Sequence, residues 1–169
     1  NNNTSFDLFD IYSDFSNEHH EIIQKVRTFV NSEVLPSMHE SHNQATFPKS
    51  FIDGIKTLGL LETHAKNNLC PIAYGLICRE LERGSSGLRS FVSVQASLVM
   101  SSIFLFGSQD QINKWIIPMG KLDKIGCFAL TEPDYGSNPS DLKTVAKKTK
   151  NGYSISGTKS WITSGNLAD

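Results

Sequence analysis

The stretch Gly126-Cys-Phe-Ala-Leu-Thr-Glu-Pro-Asp-Tyr-Gly-Ser137 decides how this chain is read. Cys127 to Leu130 is a short apolar run with the length and composition of a buried strand. It gives way at once to Thr131 and Glu132, a stop at Pro133, and Gly136-Ser137. Proline fixes φ and removes a donor, whereas glycine lets the backbone come close to a partner. A strand that ends in hydroxyls, free amides and a glycine suits an anionic or polar ligand; it equally suits an ordinary strand exit.

Downstream, Thr144 to Thr149 alternates as a strand, and Asn151-Gly152 is the strongest hairpin dipeptide in the chain. Tyr153, Ile155 and Gly157 then fall on one face of the returning strand. The segment Gly157-Thr-Lys-Ser-Trp-Ile-Thr-Ser-Gly165 follows, with Trp161 and Ile162 expected in a further short strand. Three or four strands with a raw edge are the opening of a β domain, so the chain reads as the first part of a longer protein.

Upstream of Gly120 the period is helical. Ser16 is placed to cap a helix with Glu18 in its first turn, and Ile22, Val26, Phe29 and Val30 share a face up to a stop at Pro36. Pro48 begins a second helix, striped by Phe51, Ile52, Ile55 and Leu58 and ended by Gly59. A loop is expected over residues 61–70, polar at Lys66-Asn-Asn68. Pro71 opens a third helix, which Gly84-Ser-Ser-Gly87 breaks, with Arg79 and Glu82 spaced to pair on its solvent face. A fourth, from about Leu88 to Phe106, is apolar over much of its circumference, as a helix between neighbours should be. Ser108 and Gln111 form a capping box for a fifth, ended by Pro118.

Composition narrows the classes of function. Apolar residues at 38% and charged residues at 20% are globular values, and a net charge of −1 gives no field to steer nucleic acid or an acidic membrane. No basic and aromatic interleaving points to nucleic acid either. The richest apolar run, Phe91 to Phe106, reads as too short and too polar to span a membrane. Cys70, Cys78 and Cys127 are odd in number, lack metal spacing and read as reduced core thiols. His19-His20 and the pair His39 and His42 read as solvated surface.

The two segments, in this order and with a hairpin between them, resemble the flavin-binding signature of the acyl-CoA dehydrogenase family. One matches a TEP-x-x-GS loop, the other G-x-K-x-W-I-T. Within the family the chain is most similar to the glutaryl-CoA dehydrogenases. That narrower likeness rests on Arg79-Glu-Leu-Glu-Arg83, Ser86-Gly-Leu-Arg-Ser90, Ser93-Val-Gln95, Ser97-Leu-Val-Met100 and Gly126-Cys-Phe128. Asn138 stands where relatives usually carry aspartate, and Ser164 where they usually carry asparagine.

The resemblance implies an α+β fold. An all-α domain over residues 1–120 would precede the start of a β-barrel-like middle domain over 121–169, without the family's C-terminal helical domain. It implies FAD as cofactor, lined by Phe128, Ala129, Leu130, Thr131, Gly136, Ser137, Trp161, Ile162 and Thr163. It implies an acyl-CoA substrate, glutaryl-CoA, contacted by Arg89, Ser90, Ser93 and Ser137, with Arg89 gripping the distal carboxylate as a planar fork. An Arg89 paired with Glu80 or Glu82 for structural reasons is the competing reading. Dehydrogenation beside a thioester needs a carboxylate base; Glu132 sits in the right loop, yet the resemblance assigns that role to a glutamate in the C-terminal domain, outside these residues. The implied reaction is oxidative decarboxylation to crotonyl-CoA in lysine catabolism, with electrons passing to electron-transfer flavoprotein. The implied state is a homotetramer in the bacterial cytoplasm or mitochondrial matrix. Rival readings are a short-chain dehydrogenase or oxidase of monocarboxylic acyl-CoA, and a truncated chain kept as a binding or assembly module.

Overall fold

A computed structural model describes residues 10–65 and 70–169. The polar start Asn1 to Ser5 and the Lys66-Asn-Asn68 part of the expected loop lie outside the described residues. Among the described residues eight α-helical segments dominate: α1 (Asn17–Phe29), α2 (Leu35–Asn43), α3 (Lys49–Leu58), α4 (Glu62–Ala65), α5 (Pro71–Gly84), α6 (Ser86–Ser93), α7 (Ser101–Phe106) and α8 (Gln109–Gly120). An antiparallel hairpin follows, β1 (Val145–Thr149) and β2 (Gly152–Ser156), with Val145 opposite Ser156 and Thr149 opposite Gly152.

Helix starts follow local chemistry. Ser16 accepts from the His19 amide and Ser108 from the Gln111 amide, and in both the third residue's side chain returns to the cap. Gly59 ends α3 in the left-handed conformation, at φ 63°. The predicted stop at Pro36 does not occur. The helix widens into a π turn over Val30–Val34 and continues as α2 with Pro36 in its first turn. There the Leu35 amide reaches back to the Val30 carbonyl, so the ladder is already shifted where proline has no N–H to give. Pro118 likewise sits inside α8, which runs on to Gly120. One i→i−4 bond is forgone there, with only two residues of helix left to follow, and the Pro118 carbonyl takes the amide of Asp123.

Between α6 and α7 a second π segment, Val94–Met100, makes Ser86–Phe106 one continuous helix. At 21 residues it is long and apolar enough to cross a membrane, contrary to the sequence expectation. It is nonetheless a core element: Leu88, Phe91, Val92 and Ala96 join Val26, Val30, Phe51, Ile55 and Leu81 in the main apolar cluster. Only Ser85 separates it from α5. Arg79 does not pair with Glu82. It turns to Glu80, 2% exposed, which also takes Arg27 at 2.8 Å and Arg83 at 3.4 Å. Burial pushes the Glu80 carboxyl up, but the Arg27 and Arg79 guanidiniums win and hold it at about 2. The three cysteines are free, but none is a core thiol: Cys70 is exposed, and Cys78 and Cys127 are half-buried.

Candidate functional site

Residues 125–130 form no strand, and the Leu130 amide turns back to the Phe128 carbonyl at 3.1 Å. Side chains hold them where a neighbouring strand would. Gln95, 1% exposed and carried on the widened turn, donates to the carbonyls of Met119 and Lys124 and accepts the Gly126 amide at 2.8 Å. Gly126 is pressed so close to the helix that a Cβ there would meet Val99 Cγ1 at 2.5 Å. On the other side Asp169 accepts the Ile125 amide at 2.9 Å and pairs with Lys124 at 2.8 Å, while its own amide returns to the Ile125 carbonyl. The Lys124 ammonium and the Ile125 amide hold the Asp169 carboxyl below the usual range.

Pro133 and Asp134 make the corner of a tight turn in which Glu132 and Tyr135 exchange backbone hydrogen bonds, both at 3.1 Å. The Glu132 side chain is 5% exposed. It accepts from the amides of Lys143 (2.7 Å) and Thr144 (2.8 Å) and from Lys159 Nζ (3.0 Å). The Thr144 side chain beside it, the Lys143 and Thr144 amides and the Lys159 ammonium hold its carboxyl at about 2. A buried carboxylate held ionised, with both oxygens engaged, is poorly matched to proton abstraction near neutral pH.

The segment expected to form a third strand around Trp161 is instead a run of turns. Trp161 and Ser164 take left-handed backbone, φ 59° and 63°. This run is anchored to the first segment: the Ser160 amide donates to the Thr131 carbonyl at 2.9 Å, and Lys159 Nζ donates to the Leu130 carbonyl at 2.8 Å. Phe128 to Thr131 and Trp161 to Thr163 are therefore brought side by side. Phe128, Leu130 and Trp161 are all exposed, Trp161 at 94%. Large apolar side chains with hydroxyls at Thr131 and Thr163 beside them are what a planar ring with a polar rim requires, so the residues present fit a flavin. Gly136 and Ser137 lie on the exposed continuation of the turn and make no hydrogen bond or ion pair among the described residues.

Arg89, Ser90 and Ser93 sit half-buried on α6, the helix that carries Gln95 at its extension. Arg89 Nε donates to Glu82 at 2.6 Å and Nη1 lies 3.4 Å from Ser93 Oγ, which itself donates to the Ser90 carbonyl. The pairing with Glu82 is thus formed, and it engages the Nε edge of the fork. No hydrogen bond joins Arg89 to the Phe128–Thr131 segment among the described residues. Gln95 and Lys159 stand within the quoted motifs, with no role assigned to either by the sequence. A glutamine inside the apolar run Phe91 to Met100, and a lysine between two turn-forming stretches, were the available signals. Among the described residues no three His, Cys, Asp or Glu side chains gather to hold a metal.

Residues 16–123 match the profile of the acyl-CoA dehydrogenase N-terminal domain, and residues 127–169 that of the middle domain. The rat mitochondrial short-chain specific acyl-CoA dehydrogenase is 34% identical over 150 residues, which cover 86% of this chain and 36% of that protein. A glutaryl-CoA dehydrogenase from Mycobacterium smegmatis, solved in complex with FADH2, superposes with a TM-score of 0.90 at 42% identity. It covers 96% of this chain and 43% of its own. Butyryl-CoA dehydrogenase from Megasphaera elsdenii gives 0.83 at 27% identity, covering 92% and 43%. The chain therefore spans well under half the length of these relatives.

Proposed function

The chain belongs to the acyl-CoA dehydrogenase family, and on that premise we propose that it is the N-terminal and flavin-loop part of an FAD-dependent enzyme that dehydrogenates glutaryl-CoA. The observation that carries the cofactor assignment is the juxtaposition of Phe128–Thr131 with Trp161–Thr163 through Lys159 and Ser160. Bound here, FAD would supply a hydride acceptor for the β-carbon of the acyl chain. The chain's own residues do the rest of what falls to this region. Phe128, Leu130 and Trp161 supply apolar surface that excludes water, and the Thr131 and Thr163 hydroxyls hydrogen-bond the ring edge. Gly136 and Ser137 serve the phosphates and the thioester end. Glu132 takes no proton, so the base is a different carboxylate, which we place outside these residues. In this reading electrons leave to electron-transfer flavoprotein and the working assembly is a homotetramer.

The dicarboxylic preference rests on Arg89. Its Nε edge is taken by Glu82, which fixes the guanidinium plane and leaves the Nη edge, with Ser90 and Ser93, for a carboxylate. The likeness to a glutaryl-CoA dehydrogenase at 42% identity supports this choice. The second reading, a monocarboxylic short-chain substrate, is favoured by the likeness to short-chain specific relatives. Arg89→Ala separates them. In the full-length enzyme it should lower kcat/KM for glutaryl-CoA about a hundredfold, the loss of two charge-assisted hydrogen bonds, and leave butyryl-CoA within a few-fold. Equal loss on both substrates would reject the dicarboxylate role.

A further inference from the structure

Two charged side chains flank the paired segments, and the proposed chemistry uses neither: Glu132 and Lys159. Their contacts join three separate parts of the chain. Lys159 Nζ donates to the Leu130 carbonyl (2.8 Å) and to Glu132 Oε1 (3.0 Å), with its side chain 22% exposed. Glu132 in turn accepts the Lys143 and Thr144 amides at the start of the hairpin. Gly157, at φ 156°, closes the arrangement, since a Cβ there would lie 2.1 Å from Thr144 Oγ1. The Ser160 amide then meets the Thr131 carbonyl.

A desolvated ion pair is a costly way to gain stability, because an apolar pair of similar volume often does as well. What it supplies is fixed geometry: the ammonium has two acceptors on one segment, and the carboxylate has donors on two others. Leu130 and Thr131 precede Glu132, and Trp161 to Thr163 follow Lys159, so the pair sets the spacing between the two surfaces that face the flavin. Resting on the flavin reading above, we propose that Lys159 and Glu132 are positioning residues for FAD, locking the Phe128–Thr131 segment to the Trp161–Thr163 turn without touching the reacting atoms. A methionine at 159 would keep the stem and lose both hydrogen bonds. An arginine would keep a charged donor able to reach both acceptors.

The test uses the full-length holoenzyme and reads FAD affinity and the shape of the visible flavin band, with thermal midpoints of the FAD-free proteins alongside. Lys159→Met should weaken FAD binding at least about tenfold and alter the resolved shoulder of the band, and Lys159→Arg should restore most of both. If Lys159→Met cannot be purified folded, Lys159→Gln, which keeps one amide donor and no charge, is put through the same measurements with the same expectation. A wild-type protein that binds no FAD would defeat the flavin reading itself. Wild-type protein that binds FAD, with Met or Gln variants matching it in affinity and band shape, would overturn the positioning role alone. A lowered melting point with unchanged affinity and spectrum counts against it in the same way.

Discussion

Trp161 carries two costs at once. A bulky residue at φ 59° is strained by roughly 1–3 kcal/mol, and its indole is 94% exposed. Strain of this kind gathers where a ligand uses the side chain, and a flavin face is such a use. Asparagine tolerates the left-handed region far better than tryptophan. Trp161→Asn should therefore leave the denaturation midpoint of the FAD-free chain unchanged or higher, while FAD binding in the full-length protein falls severalfold or more. A clear loss of fold stability would show that the indole packs for structural reasons. At this scale the sequence was legible in part. The hydroxyls, glycines and tryptophan could be singled out because their chemistry is unusual in a strand exit. The roles of Lys159 and Glu132 could not, because a salt link across 27 positions leaves no trace in spacing.

Among the elements, caps and the glycine stop at Gly59 were readable, and the proline stops were not. Ser16 and Ser108 signal their helices through contacts three residues away, which local sequence contains. Pro36 did not act as a stop because the widened turn has already shifted the ladder, and Pro118 because only two further residues of helix follow it. The widened turn Val94–Met100 matters most, since it carries Gln95 to the Gly126 amide. Gln95→Leu keeps the volume but leaves that amide and the Lys124 carbonyl without their partner, while the Met119 carbonyl keeps the Leu122 amide at 3.1 Å. It should cost about 2–4 kcal/mol in chemical denaturation; a change below about 0.5 kcal/mol would mean the segment is held by other contacts. The α1–α5 pairing makes a prediction about pH. Glu80 has a folded pKa near 2 against about 4.3 unfolded, so its stabilisation is complete above about pH 4.3 and is lost as pH falls toward 2. Stability measured between pH 5 and 2 should fall more steeply in the wild type than in Glu80→Gln. That variant should itself be less stable by about 1–3 kcal/mol at neutral pH, because the mostly covered Arg27 loses its carboxylate while the exposed Arg79 and Arg83 stay solvated.

As a whole molecule, the described chain is a helical body with a main apolar cluster and a smaller one around Val99, Met100, Ile116 and Met119, followed by a hairpin whose strands are exposed on both faces. The helical body was legible because its apolar stripes repeat at helical period and its breaks fall at Ser85 and Gly107-Ser108. The flavin-loop region was legible in order but not in form. Residues 125–130 and 161–162 look like strands by composition, yet side chains from elsewhere satisfy their backbone, as Gln95, Asp169 and Lys159 show. Composition reports burial and shape, and it cannot report which partner supplies a hydrogen bond. The central claim is that these residues frame a flavin working on a dicarboxylic acyl-CoA. The most direct measurement is the visible spectrum of the full-length protein, recorded anaerobically before and after glutaryl-CoA and, separately, butyryl-CoA. The account predicts a bound flavin that bleaches readily with glutaryl-CoA and much more slowly with butyryl-CoA. A colourless protein that takes up no FAD, or a flavin bleached only by butyryl-CoA, would contradict it.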